Sequence, residues 1–165
     1  MKYRDGYKYQ IAADEYYQLN DITLEDGRIL KAPRGYNIVL DFLTLDPGGL
    51  MTLFDGYATD GPSGPTIDNK YCMRGACGHD GGYQLERSGL LPPEFREYFD
   101  ACLYKWVLED GMKVVERWNH PSPVKWAEKE WIKARITLWY NGVRYFASFA
   151  ADPKNEKIVY DTEAA

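Results

Sequence analysis

The fold of this chain is decided by residues 73–83, which read Met73-Arg74-Gly75-Ala76-Cys77-Gly78-His79-Asp80-Gly81-Gly82-Tyr83. Cys72, Ala76, His79 and Tyr83 recur at helical spacing, so they share one face of a predicted helix. We expect that face to point into the protein, which makes His79 at least partly buried. Asp80 is rotated by about 100° from His79 around the helix axis and is expected at an edge.

His79 has two interpretations. An imidazole titrates near neutral pH and can act as a general base when a second group orients it. The structural alternative is a core histidine bonded to a backbone carbonyl, with Asp80 as a surface acid. Asp100 borders the apolar stripe of the next predicted helix and needs a partner there. That partner is either Arg96, one turn earlier, or His79.

Glycines mark this helix as a place of close approach. Gly81 and Gly82 lie in mid-helix, where each costs up to about 1 kcal/mol relative to alanine. Gly75 and Gly78 extend this surface without side chains toward the start of the helix. We expect a ligand, a loop or a second helix to lie against these glycines.

Composition limits the class of protein. The 165 residues suit a single domain over residues 1–165 with a sizeable core. The net charge is −5 and the basic residues are scattered, which argues against a nucleic-acid partner. The three cysteines form no CxxC pair, so neither a disulfide framework nor a zinc site is expected. We find no signal peptide and no apolar run that suggests a transmembrane segment.

The order of patterns predicts an α+β fold, a β-rich N-terminal half packed on three C-terminal helices. Residues 1–60 form the β-rich half, residues 66–150 the helical half and residues 151–165 a tail. Hairpins are predicted around Asp26-Gly27 and around Asp46-Pro47-Gly48-Gly49, the latter joining residues 38–45 to 50–54. Helices are predicted over residues 69–86 with Asp68 as N-cap, from Pro93 until Asp110-Gly111, and over residues 124–146. A last strand is predicted over residues 157–160, and His120 lies in a predicted loop.

The arrangement His79-Asp80-x-x-Tyr83, with Asp100 following 21 residues after the histidine, resembles the core of the phospholipase A2 family. It is most similar to the compact bacterial and parvoviral forms. The resemblance implies that His79 activates a water molecule, that Asp100 orients His79, and that Tyr83 supports this pair. It also implies a calcium ion held by Asp80 and by an upstream glycine-rich loop, here with Asp60, Gly61 and Gly64. Calcium prefers oxygen ligands and can polarise an ester carbonyl.

A second resemblance covers residues 31–146. The pattern Gly56-x-x-Thr59-Asp60-x-x-Ser63-x-Pro65, followed by His79-Asp80-x-x-Tyr83, is similar to a family of unknown function found in tailed phages and prophages. This resemblance implies a phage protein. Since no signal peptide is found, we expect such a protein in the host cytoplasm or in the virion. The resemblance does not imply an activity.

Two functional hypotheses follow. The first is a phage accessory or interaction protein, either a virion component or an inhibitor of a host system, that binds a phage or host protein. In it the set of His79, Asp80, Tyr83 and Asp100 is a buried polar network that fixes the helix pair. The alternative is a calcium-dependent, phospholipase A2-like hydrolase of a lipid or other ester with His79 as general base. The aromatic residues of the third helix would then lie at a lipid interface, or else fill the core: Trp126, Trp131, Trp139, Tyr140 and Tyr145.

Overall fold

The computed structural model describes residues 2–4, 8–62, 71–146 and 159–161, and it confirms the α+β fold. The β-rich N-terminal half precedes three helices, α1 (Met73–Arg87), α2 (Arg96–Glu116) and α3 (Ser122–Phe146). A 3₁₀ turn at Pro93–Phe95 leads into α2, where proline fits the first turn. The strands are β1 (Lys2–Arg4), β2 (Tyr9–Gln10), β3 (Glu15–Gln18), β4 (Ile22–Thr23), β5 (Ile29–Leu30), β6 (Ile38–Leu40), β7 (Leu43–Leu45), β8 (Leu50–Leu53), β9 (Ala58–Thr59) and β10 (Val159–Asp161).

The main sheet is antiparallel and has the order β3-β8-β7-β6. The predicted hairpin at residues 46–49 joins β7 to β8, and Gly49 adopts the positive φ of 84° that such a turn requires. The predicted single run over residues 38–45 is wrong. It is divided into β6 and β7 by a tight turn at Asp41 and Phe42, with Leu40 opposite Leu43.

The smaller pairs are β4 with β5, β2 with β9, and β1 with β10. The first confirms the turn at Asp26-Gly27, where Gly27 has a φ of 83°. The predicted C-terminal strand is present as β10 with its boundary shifted, while residues 157–158 lie outside the described residues.

Several helix boundaries differ from those predicted, and two of the differences have a clear structural reason. α1 begins at Met73 and not at residue 69, because Tyr71 and Cys72 form a turn; Asp68 and Asn69 lie outside the described residues. α2 does not stop at Asp110-Gly111 but continues to Glu116. Asp110 is held by Arg74 of α1, and a Cβ on Gly111 would lie 3.0 Å from Ile132 of α3. Gly111 therefore permits helix packing and does not end the helix.

α2 lies between two apolar clusters and belongs to both. Its residues Phe99, Cys102 and Trp106 pack with the sheet and α1, where the core includes Leu43 and Leu53. The next face of α2 packs on α3 through Leu103, Val107, Val115, Ile132, Ile136 and Trp139. α2 is therefore the central helix: it packs on the sheet and α1 on one side and on α3 on the other.

α3 begins two residues before its predicted start and exposes three of its aromatic residues. Trp126, Trp131 and Tyr145 are 67%, 58% and 78% exposed, so core packing does not explain them. Trp139 is buried and Tyr140 is half-buried. None of the helices in the described ranges has both the length and the apolar character needed to cross a membrane.

Candidate functional site

The glycines of α1 bring its His79 face against α2 and the sheet. A Cβ on Gly82 would lie 2.2 Å from the ring of Phe99, and one on Gly75 would lie 2.4 Å from Val107. On the sheet side, Gly78 lies against Tyr17, whose hydroxyl donates a hydrogen bond of 2.9 Å to the carbonyl of Arg74. Side chains at these positions would force the elements apart. The expected close approach is that of a second helix and a sheet.

His79 and Asp100 form a buried pair between α1 and α2. The distance from His79 Nε2 to Asp100 Oδ1 is 2.9 Å, and the Tyr83 hydroxyl donates to the same oxygen at 2.8 Å. Asp100 has no exposed surface and His79 is 7% exposed. The structure therefore brings together the three residues for which the sequence predicted catalytic roles.

The second oxygen of Asp100 faces two arginines. Arg144 of α3 donates from Nη1 to Oδ2 at 2.9 Å, and Arg96 Nε lies 3.8 Å from the same oxygen. Arg96 in turn donates to the carbonyl of Arg144. The two alternatives for the partner of Asp100 are thus not exclusive, since both His79 and Arg96 contact it. The sequence did not indicate Arg144, because its contact with Asp100 depends on how α3 packs on α2.

The charges of this network support one another. Burial alone would lower the pKa of His79, but its hydrogen bond to Asp100 and the nearby carboxylate of Asp80 raise it to about 9. Burial alone would raise the pKa of Asp100, but His79, Arg144 and Tyr83 hold it below its ordinary value. The two carboxylates near His79 therefore favour its protonated form.

The other nitrogen of His79 faces Asp80. His79 Nδ1 lies 3.8 Å from Asp80 Oδ1, beyond hydrogen-bond distance, and no described residue is within hydrogen-bond distance of Nδ1. The side chain of Asp80 is 28% exposed. Asp80 therefore lies at the edge where the sequence placed it, beside the nitrogen of His79 that makes no hydrogen bond to a described residue.

Thr59 connects Asp80 to the start of the glycine-rich loop. The Thr59 hydroxyl donates to Asp80 Oδ2, and its own oxygen, Oγ1, accepts a 3.0 Å hydrogen bond from the backbone N–H of Gly61. Gly61 has a φ of 64°, and a Cβ there would lie 2.7 Å from the ring of Tyr9. Of the predicted metal ligands, Asp80, Asp60 and Gly61 thus belong to one neighbourhood, while Gly64 lies outside the described residues. Thr59 belongs to the pattern Gly56-x-x-Thr59-Asp60, but nothing in the sequence indicates its contact with Asp80.

Glu86 is the second residue that the sequence did not single out. It lies on the His79 face of α1, seven residues after His79, and is 3% exposed. Neither carboxyl oxygen has a hydrogen-bond partner among the described residues. Burial, together with the negative charge of Asp100, raises the pKa of Glu86 to about 8. Only its helical spacing from His79 could have indicated this position.

Clusters of metal-binding side chains are not found in the described ranges. No group of three or more His, Cys, Asp or Glu residues there is arranged to hold a metal ion. A calcium site of the predicted kind differs from such a cluster, because it combines one carboxylate with backbone carbonyls.

Comparison with known proteins gives no relative of this chain. No protein-family model, no curated protein and no solved structure matches it. The residues of the site and their geometry are therefore the basis on which a function is inferred.

Proposed function

We propose that this protein is a calcium-dependent, phospholipase A2-like ester hydrolase in which His79 is the general base and Asp100 orients it. The observation that carries the proposal is the 2.9 Å contact between His79 Nε2 and the buried Asp100. The opposite nitrogen, Nδ1, has no hydrogen-bond partner among the described residues. An imidazole held at one nitrogen by a carboxylate and available at the other is suited to activating water.

In the proposed reaction a water molecule donates its proton to His79 Nδ1 as its oxygen attacks the ester carbonyl carbon. Asp100 stabilises the imidazolium that forms, and Tyr83 holds Asp100 in position. His79 then returns the proton to the alkoxide that leaves when the ester bond breaks. Arg144 balances the charge of Asp100 throughout.

Calcium would be held by Asp80 and by backbone carbonyls of Asp60, Gly61 and Gly64. The hydrogen bonds through Thr59 support this assignment, since they place the carboxylate of Asp80 beside the start of that loop. When bound, the ion would polarise the ester carbonyl and offset the charge of Asp80. The proton of His79 is held partly by Asp80, so base catalysis at neutral pH requires that offset.

The decisive experiment compares ester hydrolysis by the wild type, His79→Ala and His120→Ala, each with calcium and with chelator. These are the two histidines of the chain, and His120 is exposed in a loop. We expect calcium-dependent hydrolysis that falls by about 100-fold or more in His79→Ala, in line with loss of a general base. The His120→Ala variant should retain full activity. A wild type without hydrolysis of phospholipid or simple esters in calcium would refute the proposal.

Binding of calcium can be tested separately. Excess calcium should raise the melting temperature of the wild type, because a ligand that binds only the folded state stabilises it. Asp80→Asn should abolish that shift, whereas Asp110→Asn, which alters a carboxylate paired with Arg74, should keep it. An unchanged melting temperature in calcium would argue against the metal site.

The exposed aromatic residues of α3 favour a second candidate, the phage accessory or interaction protein. Trp126, at 67% exposure, is a large apolar side chain of the kind enriched at protein interfaces. In this case a purified phage or host partner should bind wild type and His79→Ala equally, and should bind Trp126→Ser more weakly. Equal binding by Trp126→Ser, together with ester hydrolysis by the wild type, would exclude this candidate.

A further inference from the structure

One exposed face of α3 carries apolar residues at alternating steps of three and four. Four of them are large and exposed: Val124 at 48%, Trp131 at 58%, Leu138 at 67% and Tyr145 at 78%. The residues between them, Ala127, Ala134 and Asn141, are exposed as well. This spacing is that of the a and d positions of a coiled coil. We name these seven residues the α3 seam.

The α3 seam lies away from the side of α3 that packs on α2. The buried side of α3 is formed by Ile132, Ile136 and Trp139. A helix that is apolar on two sides buries one of them in its own core and leaves the other for a second contact.

We propose that the α3 seam packs, in antiparallel orientation, on the α3 seam of a second copy of this chain. With a twofold axis between Ile132 and Lys133, each Trp131 lies opposite Ala134 of the second copy. Each Leu138 then lies opposite Ala127. Large residues therefore meet small ones at each of these layers, as a well-packed helix interface requires. A parallel pair would instead place Trp131 against Trp131.

Charges beside the seam favour the same orientation. Glu128 and Arg135 lie on one flank, seven residues apart. At 1.5 Å of rise per residue, the antiparallel pair brings each Glu128 within about 3 Å, along the axis, of Arg135 in the second copy. Opposite charges at flanking positions set the orientation of paired helices.

A lipid surface fits this face less well. Lipid does not require the alternation of large and small residues along the seam. Several basic side chains of α3 are also already paired: Lys129 with Glu116, Lys133 with Glu130 and Arg144 with Asp100. Few cations of the described helix remain for headgroups.

The oligomeric state tests the proposal. Light scattering after size exclusion should give twice the 19.0 kDa of one chain at high concentration. Trp131→Glu and Leu138→Glu should each weaken dimerisation by about tenfold or more, a loss measurable in the dissociation constant. The matched control is Trp126→Glu, which places the same charge on an exposed tryptophan outside the seam and should leave the dimer intact. Circular dichroism verifies that each variant is folded.

Two measurements test the orientation. Glu128→Arg and Arg135→Glu should each weaken the dimer, and the double variant should restore it. A spin label on Ser122 should lie about 30 Å from its copy in an antiparallel pair, and far closer in a parallel one.

Three outcomes would overturn the proposal. One is a monomer at all concentrations up to the solubility limit. Another is a dimer that Trp131→Glu and Leu138→Glu leave unchanged. The last is a monomer that binds phosphatidylcholine vesicles with a shift in tryptophan fluorescence that Trp131→Phe removes, which assigns the seam to lipid. The proposal is independent of ester hydrolysis.

Discussion

Asp100 is the residue at which the three helices meet. Its carboxylate on α2 contacts His79 and Tyr83 of α1 and Arg144 of α3, and it has no exposed surface. Asp100→Asn removes the charge but keeps the shape, so His79 and Arg144 lose their counterion. We expect the free energy of unfolding to fall by about 3 kcal/mol, measured by denaturant titration.

Two controls separate charge from hydrogen bonding at this position. Tyr83→Phe removes one hydrogen bond and leaves the ion pairs, so a loss of about 1 kcal/mol is expected. Asp26→Asn removes an exposed carboxylate paired with Arg28, where the effect should be small. Equal losses in Asp100→Asn and Asp26→Asn would show that the buried network does not stabilise the fold.

Glu86 should destabilise the folded protein at neutral and alkaline pH. Its pKa is raised to about 8 from an ordinary value of 4.5, because the charged form is buried without a hydrogen-bond partner among the described residues. For an acid with a raised pKa, stability falls as pH rises between these two values. Glu86→Gln should therefore raise the free energy of unfolding by roughly 2 kcal/mol at pH 9.

The same substitution should have little effect at pH 4, where both the folded and the unfolded chain carry the proton. The control is Glu116→Gln, since Glu116 is an exposed acid paired with Lys129. A Glu86→Gln variant less stable than wild type at both pH values would mean that the carboxylate has a stabilising partner.

The part of the site that could be predicted from the sequence is the part set by local spacing. His79 and Tyr83 are one turn apart on one helix, and Asp100 borders the stripe of the next helix. Thr59, Glu86 and Arg144 acquire their contacts through tertiary packing. No local pattern indicates, for example, that Arg144 lies beside a residue 44 positions earlier.

At the scale of elements, the glycines of α1 set the distance between α1 and α2. Gly82→Ala would place a Cβ 2.2 Å from the ring of Phe99, a buried side chain with little room to move. We expect a loss of about 2 kcal/mol or more in the free energy of unfolding, because overpacking forces the helices apart.

The matched control is Gly142→Ala in α3, where an added Cβ would have no atom within 4 Å. There alanine should stabilise the helix by about 0.5–1 kcal/mol. If both variants were stabilised alike, α1 and α2 would not be in the close contact described.

Glycine also explains why one helix boundary was predicted wrongly. Asp110-Gly111 resembles a helix stop in sequence, yet Gly111 lies in α2 against Ile132, and Asp110 pairs with Arg74. A glycine that ends a helix and a glycine that admits a neighbouring helix have the same local pattern. Only the tertiary contact distinguishes them.

At the scale of the whole molecule, the α+β arrangement was predictable because its signals are local. Turn residues such as Gly27 and Gly49 separate the strands, and helical periodicity begins after the glycine-rich loop. Which side of α3 faces the core was not predictable, since apolar residues lie on two of its faces. Packing against α2 determines which of the two apolar faces of α3 is buried.

The buried charges together should make the calcium-free protein most stable at mildly acidic pH. The lowered pKa of Asp100 contributes stability above its ordinary value of 3.8, and this is lost as pH falls. The raised pKa of His79, about 9 against 6.5, contributes stability that is complete below pH 6.5 and lost as pH rises through 9. The raised pKa of Glu86, about 8 against 4.5, also makes the stability of the folded protein fall as pH rises between these two values.

We therefore expect the melting temperature, measured in chelator from acid to alkaline pH, to be highest at about pH 5–6 and to fall toward pH 9. The combination of His79→Gln with Glu86→Gln should flatten the alkaline fall, although it starts from a lower maximum because Asp100 loses a partner. His120→Gln replaces the exposed histidine and should leave the profile unchanged. A wild-type melting temperature that stays constant between pH 6 and pH 9 would contradict the assignment of buried, coupled charges to α1.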